Sequence, residues 1–215
     1  MKKLILTLAF CTLISLNLQA NPHAHHGSHM NTCQSKACQN SAKVLFSMHE
    51  AMMKTPNLAS KNAERDFLSN MIPHHQGAID SSKIMLELSK NKKIHQIAQN
   101  IIKAQEQEIK EFQALLASKN AYSKPMNDKK YQEFKADEAK IMQDMMKSMQ
   151  EVKPSEELDK DFLRAMIHHH AGAIEASKQI LKYSNDKKIQ DIAQNIIKVQ
   201  EQEIKEFNEL LNKGF

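Results

Sequence analysis

The chain has no tryptophan, four glycines and five prolines, and aromatic residues make up only 5% of its 215 positions. So few turn formers argue against a fold of many short strands and tight turns. No segment alternates with the two-residue period of a strand. Lys, Glu, Gln, Ala, Ile and Met fill the chain instead, and a composition of this kind fits helices. The net charge of +5 falls to about +3 once Lys2 and Lys3 are set aside. Acidic and basic residues are interspersed as on a solvated helix surface. A basic stripe with interleaved aromatics is missing, so nucleic acid is not an expected partner. Glu-x-x-His, His-Glu-x-x-His and Gly-x-Ser-x-Gly are all absent. No nucleophile–base–acid set can be assembled by motif, which argues against an enzyme.

Cysteine is scarce as well. Of three, Cys11 lies in an apolar N-terminal run and Cys33 and Cys38 precede everything periodic. Lys2-Lys3, the apolar run Leu4 to Leu18 and Gln19-Ala20 read as a signal peptide over residues 1–20. The alternative is a membrane anchor, but a span needs ~20 apolar residues and the run is shorter. Leu8-Ala9-Phe10 lacks the small residue that a lipoprotein cleavage site places before its cysteine, so no stable anchor is expected after cleavage. The protein is then periplasmic or secreted, where Cys33 and Cys38 can pair in a small loop; thiolate ligation is the alternative. Residues 21–40, with His23, His25, His26, His29 and Met30, read as a disordered tail able to take Cu(II), Ni(II) or Zn(II).

What is present is a duplication. Met71-Ile72-Pro73-His74-His75-Gln76-Gly77-Ala78-Ile79 returns as Met166-Ile167-His168-His169-His170-Ala171-Gly172-Ala173-Ile174. The offset of 95 holds without a gap from Phe67/Phe162 to Leu116/Leu211, and roughly two-thirds of the paired residues are identical. Such self-similarity marks two copies of one module. Repeat 1 covers 41–118 and repeat 2 covers 128–213. Their helices are expected at 42–54, 60–89 and 92–118, then at 129–150, 155–183 and 186–212, with Ser155 as an N-cap. Pro73 should kink its helix, whereas His168 leaves the second copy straighter. Long amphipathic helices with short connections imply all-α architecture: two tandem antiparallel helical-bundle modules, each with its own modest core.

Residues three and four apart share a helix face. Met71 is therefore one turn below His74 and His75, and Met166 below His169 and His170, with His168 as an extra donor. The first helices add His49, Met48, Met52 and Met53, and Met142, Met145, Met146 and Met149. Imidazole with thioether suits Cu(I) and, by extension, Ag(I), better than hard cations; Zn(II) is a further candidate. Against this stands a plain reading in which the histidines are hydrogen-bonded core residues and the methionines fill gaps. Gln105 and Glu108, with Gln200 and Glu203, are candidates to orient the imidazoles from behind.

At these residues the chain resembles the domain of unknown function 305 family. The shared pattern is Asp66-Phe67-Leu68, Met71 to His75, Ala78-Ile79 and Gln105 to Ile109, and again Asp161-Phe162-Leu163, Met166 to His170, Ala173-Ile174 and Gln200 to Ile204. His168 departs from the proline of the pattern. The resemblance implies a ferritin-like helical bundle and an exported protein, and for some relatives copper or silver binding and metal tolerance. The leading expectation is a periplasmic protein that sequesters or shuttles Cu(I) or Ag(I), with metal ions and other periplasmic metal-handling proteins as partners. A metal-free envelope chaperone or stress-response binder is the alternative. A metalloenzyme such as an oxidase would need an open coordination position.

Overall fold

A computed structural model describes residues 33–55, 58–118, 122 and 124–214. The expected signal peptide and residues 21–32 of the expected tail lie outside them. Six helices follow in order: α1 (Lys36–Lys54), α2 (Ala63–Leu88), α3 (Lys92–Ala117), α4 (Asp128–Glu151), α5 (Leu158–Tyr183) and α6 (Lys187–Lys213). Among the described residues there is no strand, and no helix is long and apolar enough to cross a membrane.

Local chemistry sets most of the starts. The side chains of Asn62, Asn91, Asn127 and Asp186 accept backbone N–H groups at the first turns of α2, α3, α4 and α6, satisfying donors that a helix leaves open. Two expectations need correction. Residues 33–40 are not a disordered tail: α1 begins at Lys36, six residues before Ala42. There the Ser35 hydroxyl accepts from Cys38 N–H at 3.2 Å, and a Cys33–Cys38 disulfide closes the turn. Ser155 is not the cap of α5; Glu157 occupies that position without a side-chain bond. Ser155 instead donates to Asp161 from both its N–H and its hydroxyl, at 2.8 Å each. Helix α2 is continuous through Pro73 and, like α5, is 26 residues long.

The repeats do not fold as two separate cores. Helices α2 and α5 lie antiparallel and cross near their midpoints. Their ends are tied by Ser184, at the end of α5, donating to Glu64, at the start of α2, at 2.6 Å. One apolar cluster joins Met48, Met85 and Ile94 of repeat 1 to Phe162, Met166 and Phe207 of repeat 2. The other joins Phe67, Met71 and Phe112 to Ile180, Ile189 and Ile196. Each fully buried Phe or Ile contributes roughly 2 kcal/mol, so each repeat depends on the other for much of its packing. The first helices stay on α2 and α5 of their own repeats but also bond across. Ser41 of α1 donates to Asp161 of α5 at 2.7 Å, and Tyr131 of α4 donates to Asp66 of α2 at 2.5 Å. Burial and that bond push the Tyr131 hydroxyl up to about 12. Outside, Lys93–Glu206 and Lys188–Glu111 link α3 to α6 at 2.6 and 2.5 Å. These two pairs are the same contact seen from each repeat, which shows the pseudo-twofold relation between the halves.

Candidate metal centre

Adjacent residues on a helix point about 100° apart, so neighbouring histidines cannot share one direction. His74 and His169 point across the α2–α5 crossing at each other. Their ring centroids are 3.8 Å apart with planes tilted by 36°. They are 6% and 0% exposed, and none of their four ring nitrogens has a hydrogen-bond partner. His75 and His170 turn instead toward the third helix of their own repeat. His75 Nε2 makes a 2.8 Å hydrogen bond to Glu108 of α3 beside the Phe112 ring. His170 Nε2 lies equally close to Glu203 of α6 beside Phe207. The second contact has the distance of an ion pair but not the alignment of a hydrogen bond, since Nε2 lacks a bonded partner.

Burial holds both central imidazoles well below the usual histidine range. For His74 the next causes are the charges that His75 and His170 would carry; for His169 they are those of His74, His170 and His75. The main chain of each partner approaches the opposite ring and pulls weakly the other way, but without hydrogen-bond geometry. Two neutral imidazoles with available nitrogens are therefore held face to face, and neutral imidazole is the metal-binding form.

The remaining candidates divide into groups. A cavity of about 50 Å³ between α2, α4 and α5 is lined by His74, Met71, Met142 and Met145, with Phe67 and Phe134. This brings three thioether residues beside one histidine of the pair. Met166, Met48 and Met52 are core residues of one apolar cluster. His49 lines a different pocket with Met146 and Met149. His168 does not join the other histidines: it is half-buried in a surface groove with Asp144, Met145 and Glu175. The expected three-histidine site in repeat 2 is thus corrected, because residue 168 lies on the flank of α5 that faces α4. Glu108 and Glu203 contact His75 and His170 from the third helices. Gln105 and Gln200 are buried, but their amide oxygens have no partner and orient no imidazole. The close imidazole pair runs between the repeats, His74 with His169, a question the sequence leaves open. The gap-free offset carried a signal for this, because two equal apolar faces can cover each other.

Among the described residues no three His, Cys, Asp or Glu side chains converge on one point. What the site offers is imidazole with thioether, the donor set of a soft monovalent ion. The unsatisfied nitrogens of His74 and His169 are the observation that fits such an ion, because buried polar atoms without partners are costly.

Comparison with known proteins agrees with this architecture. The family model "Domain of unknown function (DUF305)" matches residues 18–116 and 64–211. An uncharacterized protein of Acanthamoeba polyphaga mimivirus is 42% identical over 55 residues, which is 26% of this chain and 36% of that protein. The matched segment therefore spans about a third of that relative's length. The crystal structure of a DUF305 fragment from Deinococcus radiodurans superposes with a TM-score of 0.54 at 22% identity, covering 74% of this chain and 100% of the fragment; at that identity it speaks for the fold alone. With matches that together take in both repeats and the helical fold in common, the chain belongs to the DUF305 family.

Proposed function

We propose that the protein is an exported carrier that sequesters or shuttles Cu(I) or Ag(I), with one ion held between the repeats by His74 and His169. The paired, fully buried imidazoles with partnerless nitrogens carry this reading. Each unsatisfied buried polar atom costs about 1–3 kcal/mol, and an ion bound to both rings would remove part of that cost. Met71, Met142 and Met145 supply thioethers on the open side of His74. The surrounding Phe67 and Phe134 exclude water, which favours a weakly hydrated ion over a divalent one. The N-terminal Lys2-Lys3 and apolar run support export. Titration of the reduced chain with Cu(I) against a chelator of known affinity tests the proposal. Binding weaker than ~1 μM, about −8 kcal/mol, would sink it.

One observation favours a metal-free envelope protein with a polar core. His75 already has Glu108 as its partner, so half of the histidine cluster is arranged without an ion. His74→Gln/His169→Gln separates the two readings. A carrier loses an equivalent of Cu(I), whereas a polar core changes only in stability.

A further inference from the structure

The four methionines of α4 do not serve one site. Met142 and Met145 line the cavity beside His74. Met146 and Met149, one turn further along the helix, line a second pocket of about 60 Å³, and among the described residues the two pockets share none. This pocket lies between α1, α4 and α5. Its third donor is His49 of α1, and Leu45, Phe46 and Ala165 complete an apolar wall. The Phe46 ring meets His49 edge-on at 5.9 Å, which fixes the imidazole plane. His49 and Met149 are buried, at 9% and 6% exposure.

Among the described residues no carboxylate lines the pocket, and apart from His49 only Gln150 brings a polar side chain. A hard cation would find no charged oxygen there. The volume is large enough for an ion and a few waters. One imidazole and two thioethers are soft, neutral donors, matched to a monovalent d10 ion. The wall includes Pro154, whose carbonyl oxygen is 3.6 Å from Cys38 Sγ. A disulfide sulfur has no proton to give, so this is a packing contact. It braces the pocket rim against the cross-linked turn at the start of α1.

We propose that His49, Met146 and Met149 form a second soft-metal site, bridging the first helices of the two repeats and taking Cu(I) or Ag(I) independently of the His74–His169 pair. The full chain, labelled with 13C at the methionine methyls, is titrated with Ag(I) and followed by NMR. Met146→Leu and Met149→Leu assign the two signals. Both are expected to move in the unmodified chain and in His74→Gln/His169→Gln alike. The Met146→Leu/Met149→Leu chain should bind one equivalent fewer, with its helical circular dichroism retained. Should that variant not fold, His49→Gln gives the same stoichiometric test without touching the methionines. Methyl signals of Met146 and Met149 that stay still through two equivalents of Ag(I) overturn the second site. Unmoved Met71 and Met142 signals, with no equivalent lost in His74→Gln/His169→Gln, overturn the central site instead, so the two failures are distinguishable.

Discussion

Repeat 1 and repeat 2 place the same glycine after the same histidine pair, yet the glycines meet different neighbours. A Cβ on Gly77 would stand 1.9 Å from the carbonyl oxygen of Met48. Helix α1 therefore rests its main chain directly on α2. A Cβ on Gly172 would stand 2.3 Å from Met145 Sδ, so α4 is held off α5 by a thioether side chain. That spacing accompanies the cavity beside His74 on the α4 side. The duplicated motif makes the histidine pair symmetric, while the diverged first helices decide from which side other donors reach it.

The sharpest test of this asymmetry is alanine at each glycine. Gly77→Ala forces main chain away from main chain. A loss of about 3 kcal/mol is expected, even after the ~1 kcal/mol that alanine gains in a helix. Gly172→Ala meets the Met145 side chain, with Cγ at 2.7 Å and Cβ at 3.2 Å as well as the sulfur, so that side chain must swing aside and the net cost should be smaller, about 1 kcal/mol. Urea unfolding of both variants measures the difference. Equal losses would break the comparison.

The histidine pair should respond to pH as one symmetric unit. In the metal-free protein both folded pKa values lie well below 6.5. Below that pH the unfolded chain takes up protons that the folded chain refuses. Stability is therefore complete above about pH 6.5 and falls as pH drops toward the folded values. Each histidine contributes a slope of about 1.4 kcal/mol per pH unit. Chemical denaturation between pH 7.5 and pH 5 reads the combined slope, and His74→Gln/His169→Gln should flatten it. A slope that survives in the double variant would place the sensitivity elsewhere.

Glu108 and Glu203 then test how far the symmetry extends. Glu108→Ala leaves His75 Nε2 buried without its hydrogen bond and should cost about 2 kcal/mol. Glu203→Ala removes a contact of the same 2.8 Å length but poorer alignment, so the expected loss is nearer ~1 kcal/mol. Thermal unfolding of the two single variants ranks them, and a larger loss for Glu203→Ala would reverse the assignment.

How much of this could be read in advance depends on which residues carry it. The helices of both repeats follow from Ile94, Ile97 and Ile101 at helical spacing and from caps such as Asn91 and Asp186, because those signals act within one or two turns. Burial of His74, His75, His169 and His170 was legible for the same reason: they lie on the apolar faces of their helices. The partner of each apolar face was not. Ser41 binding Asp161, and His74 facing His169, depend on how two nearly identical surfaces choose between self and copy. Periodicity shows which face is apolar but not which helix covers it. His168 misled because a third consecutive histidine reads as a third ligand, although the helix turns it out toward the Asp144 groove. Lys36 and Ser35 were missed because a polar, histidine-rich stretch hides a cap, although the Cys33–Cys38 pairing beside it was legible.

The smallest effect tests the symmetry where the repeats still agree. Lys93–Glu206 and Lys188–Glu111 occupy equivalent places between α3 and α6, at 2.6 and 2.5 Å. Their side chains are 34% to 54% exposed, so water and salt screen both pairs. Double-mutant cycles should give coupling energies below about 0.5 kcal/mol for each, equal within error and smaller at high ionic strength. Unequal couplings would mean that the asymmetry seen at Gly77 and Gly172 propagates through the histidine crossing to the outer helices. Equal ones confine it to α1 and α4, where the diverged methionines are.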